Sequence, residues 1–198
     1  MDSIGKEGDI LLVHLNKIKA GLEFSKELVL TALLAVLCVC FIISHNQVPS
    51  GSMIPTIQEG DRLLTNMIPY YYRDPKYGEI VVFRRPSGEV WVKRVIGLPG
   101  DEIDIREGKV YRNGQLLDES RYLDETVSST PSELVQIEET LMTPVAFPYT
   151  VPDGCYFLMG DNREESGDCR YLGAIKREAI YGKAWIKVYP FSKMGFLK

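Results

Sequence analysis

Residues 90–101 read VWVKRVIGLPGD. Side chains alternate across an extended chain, so Trp91, Lys93 and Val95 fall on one face and Val92 and Arg94 on the other. Valine and isoleucine suit that pleated geometry, and Gly97-Leu98-Pro99-Gly100 closes it in a rigid turn. The stretch predicts a strand that sets a lysine between two large apolar neighbours. Short alternating runs recur on either side, at Arg62–Met67, Glu79–Arg84, Glu102–Arg106, Lys109–Arg112, Gln115–Leu117, Cys155–Met159 and Ala184–Tyr189. Proline and glycine punctuate them. Asn113-Gly114, between KVYR and QLL, is a hairpin signal because both residues accept positive φ. The pattern predicts a mostly β, antiparallel core. Residues 118–150, rich in Ser, Thr, Glu and Pro, break the rhythm and read as a variable insertion or long loop.

The 198 residues carry 23 Lys and Arg, 27 Asp and Glu, and a net charge of −4. A nucleic-acid partner would call for a basic face, so none is expected. The two histidines, His14 and His45, leave little room for a His-rich metal site or a catalytic histidine. No metal or cofactor is expected, and any hydrolysis needs another base.

From Leu28 to Ser44 the chain reads LVLTALLAVLCVCFIIS, 17 residues without a charge. As a helix this run measures about 25 Å, against a hydrocarbon core of roughly 30 Å. His45 and Asn46 can extend it to the interface. A buried helix of a soluble protein would show a polar stripe. A cleaved signal peptide would end in a small-x-small site, and FIISHNQVP holds no good one. The reading is a transmembrane signal anchor at 28–45, after an N-terminal segment, 1–27, and before a β-rich domain, 46–198. Lys6, Lys17, Lys19 and Lys26 precede the run and the next cation is Arg62, which keeps the N-terminus cytoplasmic. Leu11, Leu15, Ile18 and Leu22 recur at helical spacing, as a short amphipathic helix or a frayed tail.

Three segments can carry chemistry. Pro49-Ser50-Gly51-Ser52-Met53-Ile54-Pro55-Thr56 can present a hydroxyl at a bend beside a backbone N–H, or serve as a linker. Lys93, if its strand face is buried, loses proton affinity and can accept a proton from a serine. A lysine whose stem lies along Trp91 with its charge in water fits the same residues. Gly160–Arg170, GDNREESGDCR, is a polar loop in which Asp168 and Arg170 can pair, or a solvated charged turn.

In this order behind an apolar anchor, the three segments resemble the type I signal peptidases, or leader peptidases, over residues 28–190. The match is weakest over 118–150. The resemblance implies a membrane-anchored Ser/Lys-dyad endopeptidase, with Ser52 as nucleophile and Lys93 as general base. Ser50 would donate to the oxyanion alongside the Ser52 N–H, Ser166 would orient the Lys93 amine, and Asp168 and Arg170 would hold the loop. Val48, Pro49, Met53, Ile57 and Val92 would line small pockets that select Ala-x-Ala-like sites in exported preproteins. The implied fold is a β-rich catalytic core with a small inserted lobe at 118–150. The implied location is the plasma membrane, single-pass, with the catalytic domain outside. A lysine base matches the bacterial and organellar branch, and the short insertion most resembles the compact Gram-positive form. Cys169 departs from the family, which has serine there, and Leu172-Gly173 stands where an aromatic-Gly pair is common.

Two other readings fit some of these residues: a self-cleaving Ser/Lys protease, and a non-enzymatic anchored pseudo-peptidase. Cys38 and Cys40 fall in the apolar run. Cys155 and Cys169 are equally compatible with a disulfide and with free thiols. Tyr70 to Tyr72 and Met194–Leu197 fit lipid contact or ordinary packing.

Overall fold

The computed structural model describes the backbone of residues 3–41, 43–137 and 140–197, and the side chains of 15–37, 44–137 and 140–197. The chain forms two compact units, residues 1–42 and 43–198. The first is one helix, α1 (Ser3–Phe41), of 39 residues. This corrects the expectation of a separate short amphipathic helix. No proline interrupts residues 1–48, and Leu, Ala, Lys and Glu sustain the helix throughout. Ser25 and Thr31 return their hydroxyls to carbonyls four residues back, so neither breaks it. Leu28, Val29, Leu30, Leu33, Leu34, Val36 and Leu37 all expose their apolar side chains. Among the described residues no helix is long and apolar enough to cross a membrane. The described side chains stop at Leu37, within the apolar run. Those of Leu11, His14, Cys38 and Cys40 lie outside them.

The second unit begins with β1 (Ile43–Gln47), β2 (Arg62–Asn66), the short helix α2 (Pro69–Tyr72), β3 (Ile80–Arg84) and β4 (Val90–Gly97). Next come β5 (Glu102–Arg106), β6 (Lys109–Arg112), β7 (Gln115–Leu116), β8 (Val135–Ile137), β9 (Thr140–Met142) and β10 (Tyr149–Thr150). The last third holds β11 (Cys155–Met159), α3 (Cys169–Leu172), β12 (Ile175–Lys176), β13 (Ile180–Tyr189) and β14 (Gly195–Phe196). The expected helical extension through His45 and Asn46 is corrected: both lie in β1, which pairs antiparallel with β2, and His45 is exposed. Backbone pairing to a neighbouring strand wins there over continuation of the helix.

The main sheet runs β1-β2-β13-β3-β4-β11-β12, with β14 on β13. Its pairs are antiparallel. Apolar clusters cover both faces. Val81 and Phe83 of β3 enter one cluster with Val95, Phe157 and Met159. Ile80 and Val82 enter the other with Val48, Met53, Ile57 and Val92. Double burial explains why β3 reads as an apolar run rather than an alternation. β13 starts four residues before the expected Ala184, because Gly182 lets it approach β2; a Cβ there would collide with Thr65. Asn113 and Gly114 have φ of 53° and 76° and join β6 to β7 as the turn signal requires. A second sheet runs β10-β5-β6-β7. The segment 118–150 is only partly loop, since it contains the β8–β9 hairpin and β10.

Candidate active site

The turn that presents Ser52 is held in place by the burial of its apolar neighbours. Met53 and Ile57 are 1% and 0% exposed in the cluster beneath the sheet, while Ser50 is exposed and Ser52 half-buried. Backbone bonds from Ile54 N–H to Gly51 O (3.0 Å) and from Ile57 N–H to Met53 O (2.8 Å) fold residues 51–57 into successive turns. Val48 N–H donates to Asp61 O and Gly60 N–H to Val48 O, both at 2.9 Å, closing the loop at its base. The apolar anchors point in, so the serine hydroxyls point out.

Lys93 stands in β4, on the face shared with Trp91 and Val95. Its side chain is buried, with Nζ 5.2 Å from the centre of the Trp91 ring. Nζ lies 2.5 Å from Ser52 Oγ, across 41 residues of sequence. Burial lowers its pKa from 10.5 to about 8, against the pull of the Asp168 carboxylate, which favours the ammonium. Ser50 Oγ lies 3.5 Å from Ser52 Oγ. Among the described residues the Ser52 N–H donates to no backbone carbonyl.

The loop after β11 ties these parts together. Asp161 accepts two hydrogen bonds from Arg94, at 2.8 and 2.7 Å, and a third from the Thr56 hydroxyl at 2.5 Å. Arg94 adjoins Lys93 and Thr56 lies at the end of the turn that holds Ser52, so one carboxylate links both. Asn162 donates its N–H to Ser52 O and its side-chain amide to Gly51 O, both at 3.1 Å. Asp168 pairs with Arg170 through two bonds of 2.9 Å, both side chains at 1% exposure or less, and accepts the Gly160 N–H at 3.0 Å. Burial alone would raise the Asp168 carboxyl, but Arg170, the Gly160 N–H and the Lys93 ammonium together outweigh it and hold the pKa below the usual carboxylate range. Gly160 has no room for a side chain: a Cβ would collide with Ser166 Oγ and the Ser52 carbonyl. Ser166 is therefore packed beside the Ser52 turn, where its buried Oγ has no hydrogen-bond partner among the described residues.

A cleft of about 480 Å³ opens over Ser52 and Lys93. Val48, Pro49, Ser50, Met53 and Val92 line it. Ile57 does not, which corrects its expected place in the lining: it is fully buried in the cluster that also holds Met53. Ser166, Asp168 and Arg170 are buried and do not line the cleft. Cys155 and Cys169 are free thiols. Cys169 Sγ accepts the Leu158 N–H at 3.1 Å, and burial pushes its thiol pKa up. Sulfur thus meets a backbone donor where a hydroxyl would otherwise stand.

Sequence reasoning assigns no role in the site to Arg94, Asp161, Asn162, Gln136 or Ile137. An arginine on the strand face opposite Lys93 and an acid in GDN are available signals for the first two. Gln136 and Ile137 carry none, because their place in the cleft depends on how residues 118–150 fold back.

Residues 21–189 match the family model described as signal peptidase, peptidase S26. The chain is similar to "Probable signal peptidase I-2" of Synechocystis sp., with 36% identity over 186 residues, covering 89% of this chain and 77% of that protein. It is also similar to signal peptidase I S of Bacillus subtilis, with 35% identity over 182 residues, covering 91% of this chain and 96% of that protein. The similarity to signal peptidase I of Pseudomonas aeruginosa is 32% over 227 aligned positions, covering 94% and 80%.

Proposed function

The chain belongs to the signal peptidase family, peptidase S26, and from that premise we propose that this serine endopeptidase removes signal peptides from exported preproteins by a Ser52/Lys93 dyad. The observation that carries the dyad is the 2.5 Å approach of Lys93 Nζ to Ser52 Oγ inside an apolar wall. A neutral Lys93 takes the Ser52 proton as Oγ attacks the scissile carbonyl. The resulting ammonium gives that proton to the leaving amine, and an acyl-enzyme remains on Ser52. Lys93, neutral again, then takes a proton from water as the water oxygen attacks the acyl carbon, and returns that proton to Ser52 Oγ as it leaves. The Ser52 N–H and the Ser50 hydroxyl stabilise the oxyanion. Ser166 Oγ, buried without a partner among the described residues, is suited to hold a second hydrogen of the Lys93 amine. Asp168 and Arg170 fix the loop behind it.

Specificity for small-x-small sites is supported by the lining. Val48, Met53 and Val92 line the cleft that holds Ser52, an apolar lining that suits small aliphatic side chains. The proposed function also includes a single-pass anchor in the apolar run from residue 28, with a cytoplasmic N-terminus and the unit 43–198 outside the cell membrane. The preprotein is then held by its own apolar segment in the same bilayer.

Cleavage of one preprotein by the full-length enzyme, beside Ser52→Ala and Lys93→Ala, tests the dyad. Both variants should lose cleavage, and a mechanism-based acylating inhibitor should label Ser52 in the wild type alone. Full activity in either variant sinks the proposal.

A further inference from the structure

The β8–β9 strand pair, residues 135–137 and 140–142, comes from a segment whose sequence carries no motif, and β8 reaches the cleft. We infer that it forms a wall of the substrate cleft, and that Ile137 and Gln136 set preference for substrate residues beside the scissile bond. The inference rests on the dyad reading of Ser52 and Lys93, because the wall is defined relative to them.

Gln136 and Ile137 line the same cleft as Ser52 and Lys93. Ile137 is 4% exposed, and its seat is Gly167 in the loop behind the dyad. A Cβ on Gly167 would come within 2.8 Å of Ile137 Cγ1, so glycine is what lets the hairpin close against the loop. The chain on both sides of the hairpin is clipped to neighbouring residues of α3. Ahead of it, Arg170 donates to Ser129 O at 3.2 Å, and the Ser132 N–H donates to the Tyr171 hydroxyl at 2.8 Å. After it, the Val145 N–H donates to Arg170 O at 2.8 Å. Arg170 is the residue whose guanidinium pairs with Asp168. The hairpin is thus registered to the dyad through the same buried ion pair that holds the loop.

The wall has the chemistry of a peptide-binding surface. Ile137 offers an apolar contact in the cleft that Val92 also lines. An extended peptide is the ligand that a cleft over Ser52 and Lys93 accepts, with its side chains reading the wall. Gln136 sits at the exposed position of the strand, and Glu89 and Glu165 share the cleft with it. A cation placed at 136 would therefore change the charge that a bound substrate meets.

The test uses the full-length enzyme in detergent micelles and one preprotein in which residues near the scissile bond are changed one at a time to Leu, Ala or Glu. The enzymes are wild type, Ile137→Ala and Gln136→Lys, with Ser52→Ala alongside. Ile137→Ala should change the Leu-to-Ala cleavage ratio at one or more positions by about tenfold. Gln136→Lys, on an exposed side chain, should raise relative cleavage of the Glu substrates by about threefold. General damage to the fold lowers all substrates alike and leaves these ratios unmoved. Should Ile137→Ala fail to fold, Gln136→Lys decides. Preference ratios within twofold of wild type in the folded variants overturn the inference. Cleavage surviving in Ser52→Ala would instead remove the dyad reading, and that outcome is read separately from the ratios.

Discussion

Replacing Lys93 with methionine should abolish preprotein cleavage and make the protein more stable. The amine is buried, and its pKa falls from 10.5 to about 8, burial being the dominant cause. The unfolded chain holds its proton up to about 10.5, so below pH 8 folding is opposed by about 3 kcal/mol from this one group. The sign follows from proton binding. Between 8 and 10.5 the unfolded state binds more protons, so wild-type stability rises with pH across that window. Methionine fills a similar volume with no charge to desolvate. It gives up the bond to Ser52 Oγ, but Ser52 is half-exposed and keeps access to water. The gain at pH 7 should approach about 3 kcal/mol, or roughly 6 to 12 °C in Tm for a chain of this size. Thermal unfolding of full-length wild type and Lys93→Met in a non-ionic detergent, followed by circular dichroism at several pH values, measures it. The two melting temperatures should be furthest apart near pH 7 and converge towards pH 10. A variant less stable than wild type at pH 7, or a gap independent of pH, refutes the desolvation argument.

The same amine sets the rate profile: kcat/KM should rise about tenfold from pH 7 to pH 9, as the neutral fraction climbs from about one tenth to nine tenths. A flat profile, or a midpoint near that of ordinary lysine, contradicts a buried base. Asp168→Asn breaks a fully buried pair and should cost about 3–5 kcal/mol in urea unfolding. It should also move the rate midpoint below 8, because the carboxylate that favours the ammonium is gone while Arg170, which opposes it, remains. An unchanged urea midpoint would show that the pair does not hold the loop. Gly160→Ala should reduce kcat more than tenfold, since its Cβ must displace Ser166 or the Ser52 carbonyl. Wild-type kcat in that variant would show that the packing is softer than the contacts require.

The strands were legible where one local rule decided them. Glu102–Arg106, Lys109–Arg112 and Cys155–Met159 carry their own pattern and turn signals, and each forms as the sequence indicates. The beginning of β13 was not legible, because Gly182 serves a close approach to Thr65, more than a hundred residues earlier in the chain. β1, ISHNQ, begins at the end of the apolar run and is mostly polar, so no strand pattern marks it. Ser52 and Lys93, which the structure brings together, could be singled out from motifs, and the neighbours of Lys93 on its strand face from alternation. Asp161 and Asn162 needed the fold, since each acts by reaching across from the end of β11 to the turn that holds Ser52. Ile57 shows the limit of carrying a role by position: one turn beyond Met53, it packs inward and leaves the cleft to its neighbours.

The strand order has a consequence for synthesis. β1 and β2 flank the turn with Ser52, β3 and β4 carry Lys93, and the sheet joins these two pairs only through β13, residues 180–189. A nascent chain that has released both Ser52 and Lys93 from the ribosome still lacks the strand that brings them into one sheet. The Asp161 and Asn162 links also come late in the chain. Assembly of the sheet that brings Ser52 and Lys93 together therefore waits for β13, and a product terminated before residue 180 carries both side chains without that sheet.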